Sequence, residues 1–157
     1  MKIISITGLP KSGKTTTAKA IGAALFADGR FMPVLLDGTD KSEALRRVCN
    51  CLLEEQKDLE ITGKWRERVC IIDGVNSEDE LHHWQAYGCT ALFVSSARRL
   101  KVGADDSLAG EYEFGHLPDT LFDFTVSNND PAGLPLFEKK VGELGLTIVT
   151  TAREEIR

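Results

Sequence analysis

Gly8, Gly13, Lys14 and Thr15 stand at the spacing G-x-x-x-x-G-K-[ST] within the run Gly8-Leu9-Pro10-Lys11-Ser12-Gly13-Lys14-Thr15. The chemistry of that spacing is the holding of phosphate groups. Its glycines let successive backbone N–H groups turn inward around an anion. The lysine reaches the β and γ phosphates, and the hydroxyl of the last residue is a ligand for Mg²⁺. Gly8, Lys11, Ser12, Gly13, Lys14, Thr15 and Thr16 are therefore the expected site for a nucleoside triphosphate such as ATP. The alternative, an ordinary glycine turn, fits the flanks less well. Lys2 to Thr7 (KIISIT) reads as a buried strand and Thr16 to Phe26 as a helix, whose positive end would face the same anion.

Other residues with chemical potential lie at the ends of later apolar runs. Asp73 closes Arg68 to Asp73 (RVCIID), the position at which phosphate-loop proteins place a carboxylate that holds Mg²⁺; the alternative is a strand-end acid that caps a turn. Asp37 and Asp40 follow Met32 to Leu36 (MPVLL). They can accept a proton from an attacking hydroxyl, orient an acceptor or contact the metal shell, while D-G-x-D is equally a strong turn sequence. Arg98 and Arg99 follow Thr90 to Ser95 (TALFVS), where a guanidinium can stabilise a phosphoryl group in transfer. A solvated basic pair is the alternative. Arg46 and Arg47, on the polar side of a helix beginning near Lys41, are candidates for an acceptor phosphate. His82 and His83 have no partners at metal-ligand spacing and read as surface or half-buried residues.

The elements that must position these residues alternate between strand and helix, which implies a mainly parallel sheet covered on both faces: a three-layer α/β/α fold over a single domain, 1–157. Asp28-Gly29 stops the first helix. Leu45, Val48 and Leu52 mark one face of the second, and Gln56 to Lys64, without a clear period, reads as loop or a short helical turn. A helix from about Ser77 to Tyr87 stops at Gly88. From 96 to 120 the apolar period gives way to Arg, Asp, Glu and Gly, the composition of a surface loop or a mobile lid. Leu121 to Ser127 resumes a strand and Asn128-Asn129-Asp130-Pro131 forms a turn. Leu134, Phe137, Val141 and Leu144 face the core from a last helix, and Thr147 to Thr150 reads as a small final strand. In such sheets ligands sit beyond the carboxyl ends of the strands.

With 157 residues the chain can bury roughly 70% of its extended-chain surface without disulfides. Nineteen basic and 24 acidic residues give a net charge of −5, which removes any global attraction to nucleic acid or anionic membrane. Cys49, Cys51, Cys70 and Cys89 have no C-x-x-C spacing, and with His82, His83 and His116 they complete no zinc pattern, so the cysteines are expected to be reduced packing residues. No apolar run approaches membrane-spanning length, and the expected location is the cytoplasm. A guanine-reading N-K-x-D is missing, which argues against a GTPase switch.

The chain resembles the nucleotide-kinase branch of phosphate-loop proteins, most closely the phage-type deoxynucleoside monophosphate kinases. The segments that carry the likeness are GLPKSGKTTTA, DGTDKSEALRRV, IIDGVNSEDEL, AYGCTALFV, GADDSLAGEYEF and FDFTVSNND. The resemblance implies transfer of the γ-phosphoryl group of ATP, with Mg²⁺, to a deoxynucleoside monophosphate. In that family the turn after the third strand commonly carries an acceptor-binding Arg, and the matching residue here is Asn76. TGLPKSGKTTTAKA followed by VLLDGTD is also similar to adenylylsulfate kinases, which phosphorylate a hydroxyl and would give Asp37 a direct part in transfer. Phage kinases acting on hydroxymethyl-pyrimidines share the broad fold, which makes a modified DNA base a further candidate acceptor. A nonenzymatic ATP-binding module is the alternative of another class, and the assembly is expected to be a monomer or homodimer.

Overall fold

The computed structural model describes residues 1–8, 13–63, 66–75, 77–95, 121–128 and 134–155, with side chains through 151. Among the described residues five strands and four helices follow in the order β1 (Lys2–Gly8), α1 (Lys14–Asp28), β2 (Phe31–Asp37), α2 (Lys41–Thr62), β3 (Glu67–Asp73), α3 (Glu78–Gln85), β4 (Thr90–Ser95), β5 (Phe124–Ser127) and α4 (Leu134–Glu155). All pair in parallel, in the spatial order β2-β3-β1-β4-β5.

A parallel strand buried on both faces reads as a continuous apolar run. β1 and β3 each bury their five central residues, and they lie in the middle of the sheet. β2 forms one edge, where Pro33 costs no ladder hydrogen bond on the open side. One core, with Ile6, Leu25, Ile71 and Val141, lies on the face covered by α1 and α4. A second, with Ile3, Val48, Ile72 and Trp84, lies under α2 and α3, completing the three expected layers. Gly142 and Gly145 bring α4 close to α1: a Cβ on Gly145 would sit 2.5 Å from Ile21 Cγ2. No helix among the described residues is long and apolar enough to cross a membrane.

The structure corrects several expectations. Residues 56–62 are helical, because α2 runs on to Thr62 and ends at Gly63, whose φ of +69° suits the left-handed stop. Polar contacts hold this stretch, which is why it lacks an apolar period. Buried Glu55 accepts from the Arg68 amide at 2.5 Å and lies 3.4 Å from the N-terminal ammonium, and the Arg68 guanidinium sits 2.8 Å from Asp58. The buried face of α2 is accordingly Ala44, Val48, Cys51 and Glu55, and Leu52 is exposed.

Thr147 to Thr150 is helix rather than strand. Ile148 and Val149 pack into the core shared with α1, and the Thr147 and Thr150 hydroxyls bond back to the carbonyls of Glu143 and Leu146. Tertiary packing has overridden the β-branched propensity. β5 starts at Phe124 because the Asp123 carboxylate accepts from the Ala91 amide at 2.8 Å, leaving 121–123 as a turn. All four cysteines are free. Cys51 and Cys70 are buried and Cys89 half-buried, as packing residues should be, but Cys49 is exposed. The lid segment 96–120 lies outside the described residues.

Candidate active site

β1 ends at Gly8 and α1 opens at Lys14, so Gly8, Gly13, Lys14 and Thr15 lie at the carboxyl end of the central strand. Gly13 precedes α1 with φ +109°, a left-handed conformation that favours glycine, and its carbonyl accepts from the Thr17 amide at 2.8 Å and the Thr17 hydroxyl at 2.7 Å. The N-cap residue Gly13 brings no side-chain cap and no acid lies in the first turn of α1. The backbone amides of a helix start point toward an anion placed there. Asn128, just beyond β5, closes the other side of Gly13, where an added Cβ would meet its Nδ2 at 2.7 Å.

Thr15 Oγ1 donates to Asp73 Oδ2 at 2.8 Å across 58 residues of sequence. β1 and β3 are neighbours with Ile6 opposite Asp73, so sheet register itself brings the end of β3 to the start of α1. Past Asp73 the chain stays against β1, as the Gly74 and Val75 amides both donate to the Ile6 carbonyl. Gly74 adopts φ +89° there.

Asp37 pairs in register with Asp73 on the neighbouring strand. The two acids, with Thr15, Leu35 and Leu36, line an open cleft of ≈ 450 Å³. Asp37 Oδ1 accepts from the Thr39 hydroxyl at 2.6 Å and from the Thr39 amide at 2.9 Å. These bonds, the hydroxyl's first, hold its carboxyl below the usual carboxylate range, so it stays ionised. Gly38 fixes the turn to β3: its amide donates to the Asp73 carbonyl at 2.7 Å, and a Cβ there would lie 3.0 Å from that oxygen and 3.1 Å from the Gly74 carbonyl carbon.

The remaining candidates divide. Asp40 caps α2, its Oδ1 accepting from the Glu43 amide at 3.1 Å. That is the turn role, and Asp40 does not line the cleft. Arg46 is held along its own helix by Glu43, at 2.5 Å, and Arg47 donates to the Leu35 carbonyl at 3.5 Å and lines a separate groove beside the β2 edge. Neither joins the Thr15–Asp37–Asp73 cleft. Lys14 and Thr16 occupy the first turn of α1. Lys11, Ser12, Asn76, Arg98 and Arg99 lie outside the described residues. Gly38 and Asn128 were missed as site residues, because each has the sequence signature of a turn and gains its importance from a neighbour distant in the chain.

No protein-family model and no curated protein matches the chain. Solved structures do resemble it. A shikimate kinase from Aquifex aeolicus vf5 gives a TM-score of 0.51 at 17% identity, covering 97% of this chain and 98% of its own. Kti12 from Chaetomium thermophilum, in complex with ADP-AlF3, gives 0.51 at 14% identity, covering 90% and 97%. At such identities the likeness establishes the fold alone, a three-layer α/β/α architecture shared with these two proteins.

Proposed function

We propose that the chain is an ATP-dependent kinase that moves the γ-phosphoryl group to an acceptor seated against Asp37. The observation that carries this reading is the 2.8 Å bond between Thr15 and Asp73, which joins the hydroxyl of the phosphate loop to the carboxylate at the end of β3. A hydroxyl and a carboxylate are hard oxygen donors. They fit Mg²⁺, which is commonly held by one or two such protein groups together with phosphate oxygens and water. Bound there, the ion would neutralise charge developing on the phosphates. The kinase fold shared with a shikimate kinase, and with a protein solved with ADP-AlF3, supports the same reading.

In this reading Gly8 to Thr16 hold the triphosphate, with the amides at the start of α1 and the Lys14 ammonium directed to its anionic oxygens. Arg98 or Arg99 is the candidate to stabilise the transferred phosphoryl group. A hydroxyl suits the acceptor side best, because the acceptor candidate lining the cleft is a carboxylate, Asp37. Ionised and fixed by Thr39, Asp37 accepts a hydrogen bond from the attacking hydroxyl and turns its lone pair toward the phosphorus. A deoxynucleoside monophosphate is the second reading, favoured by the longer run of resembling segments from DGTDKSEALRRV to FDFTVSNND. It requires Arg46 or Arg47 to exchange its present partner for the acceptor phosphate.

The test is incubation with γ-labelled ATP and a panel of acceptors: hydroxylated small molecules including adenylylsulfate and shikimate, deoxynucleoside monophosphates, and hydroxymethyl-pyrimidine DNA. Lys14→Ala is the control. Loss of one key cationic contact costs on the order of 3 kcal/mol, so labelling should fall more than about 100-fold while the fold survives. A folded Lys14→Ala protein that labels as fast as the parent would refute the assignment. ATP binding with no labelled product across the panel would favour a nonenzymatic module.

A further inference from the structure

Three sulfur atoms meet where the first residue, α2 and β3 come together. Cys70, fully buried in the middle of β3, sets its Sγ 3.7 Å from Met1 Sδ. Its thiol also shares a hydrogen bond with the thiol of Cys51, which comes down from α2. All three residues belong to the core under α2 and α3. Cys51 connects the cluster to solvent, because it also lines the groove of ≈ 310 Å³ beside Arg47 and Asn50.

The donor atoms specify what fits between them. The neighbouring carboxylate, Glu55, has both oxygens engaged, Oε1 by the Arg68 amide and Oε2 by the N-terminal ammonium. Mg²⁺ and Ca²⁺, which take oxygen ligands, therefore find none here. Among the described residues no three His, Cys, Asp or Glu are placed to hold a metal ion, which leaves out Zn²⁺ with its four donors of that kind. Two thiols and a thioether remain, the soft set that selects Cu(I). At a metal–sulfur length of about 2.3 Å, sulfurs on one ion lie about 3.8–4.0 Å apart in tetrahedral or trigonal coordination. The Met1–Cys70 spacing is close to that already.

Burial, the largest influence, pushes both thiols up, so they stay protonated and unreactive until a cation replaces the protons. The surrounding charges suit that exchange. Glu54, Arg68 and Arg47 act on Cys51, and Glu55 and the N-terminal ammonium act on Cys70, three cations against two acids. Two thiolates holding one Cu(I) carry a single negative charge, which the surplus cation balances.

We propose that Met1, Cys51 and Cys70 form a three-sulfur site for a soft monovalent cation, Cu(I), which ties α2 to β3 and to the first residue. Each ion bound displaces two thiol protons, and the site is independent of phosphoryl transfer.

Anaerobic titration of the full chain with Cu(I), in competition with a chromogenic Cu(I) chelator, tests it. A Cys49→Ser, Cys89→Ala chain keeps Cys51 and Cys70 as its two cysteines. It should take one Cu(I), release two protons and show three sulfurs about 2.3 Å from the metal by X-ray absorption. Bound Cu(I) should also slow hydrogen exchange in α2 around Cys51. Cys51→Ser, at the floor of the groove, should weaken binding by about 100-fold or more with the fold retained. Failure to retain Cu(I) against the chelator, an ion held by a single sulfur, or parental affinity in folded Cys51→Ser would overturn the proposal. So would a Cys51–Cys70 disulfide formed in place of metal binding, which would assign the pair to redox chemistry.

Discussion

Replacing Gly38 by alanine tests whether the acceptor side of the cleft is built by close backbone contact. The new Cβ would lie 3.0 Å from the Asp73 carbonyl oxygen, 3.0 Å from Ile72 Cγ2 and 3.1 Å from the Gly74 carbonyl carbon, where ordinary contact begins at 3.4 Å. Two of the three neighbours are backbone of the central sheet and cannot rotate away, so the turn must retreat by several tenths of an ångström. That retreat stretches the 2.7 Å bond from the Gly38 amide to the Asp73 carbonyl. Crowding of this kind costs about 1–3 kcal/mol and the weakened bond about 1 kcal/mol. The stiffer unfolded chain returns about 0.4–1 kcal/mol. The net expectation is a loss of about 2 kcal/mol in urea unfolding. Asp37 moves with the turn, and since a misplacement of about 1 Å can cost 100-fold in rate, transfer in single-turnover assays should fall by about 10-fold or more. ATP affinity should hold, because Lys14, Thr15 and Asp73 stand on neighbouring elements that the turn does not carry. A Gly38→Ala protein with parental stability and parental transfer would refute the argument, and loss of ATP affinity with transfer preserved would reverse it.

Asp37→Asn should lower the transfer rate to a hydroxyl acceptor by about 100-fold with little change in KM, measured by steady-state kinetics. Because Thr39 holds the Asp37 carboxyl below its ordinary value, its contribution should be complete across neutral pH and fade only as pH falls below the usual carboxylate range. The His83 imidazole is held below its ordinary value by burial and then by Lys41. The unfolded chain therefore binds the proton first on acidification, so stability should be full above about pH 6.5 and decline below it; His83→Gln should flatten that decline in thermal melts. Gly145→Ala and Gly142→Ala gain the same helix propensity of about 1 kcal/mol but meet different neighbours. The first drives a Cβ to 2.5 Å from fully buried Ile21 and should destabilise by about 2 kcal/mol, whereas the second meets Ala24 Cβ at 3.2 Å and should be near neutral in urea unfolding.

The strands and the donor side of the site were legible because their signals are local. KIISIT is apolar over its length, the loop motif is contiguous, and Asp73 closes a run whose other members are mostly buried. The end of α2 was not legible, since Glu55 and Asp58 are secured by Arg68 and the N-terminal ammonium, partners that no period within 52–62 can reveal. Thr147 to Thr150 misled for the opposite reason: its composition favours a strand, and only the neighbouring face of α1 makes it helix. On the acceptor side the sequence offered Asp37, Asp40, Arg46, Arg47 and Asn76. Hydrogen bonding separates them, as Asp40 caps α2 and Arg46 binds Glu43, while Asp37 lines the cleft.

The strand order sets a division of labour between the two halves of the cleft. Thr15 follows β1 and Asp73 ends β3, and each of these strands is bonded to a neighbour on both sides, so a change in either disturbs the middle of the molecule. Asp37 ends β2, which among the described residues is bonded on one side only. Insertions, deletions and substitutions around residues 37–40 need only preserve the single seam to β3 and the cap of α2. Under the proposed function, substrate preference would be written at the margin of the sheet, where it could be rewritten without rebuilding the residues proposed to hold the nucleotide. An engineer seeking a new acceptor for this scaffold should begin with the four residues Asp37-Gly38-Thr39-Asp40 and leave the centre alone.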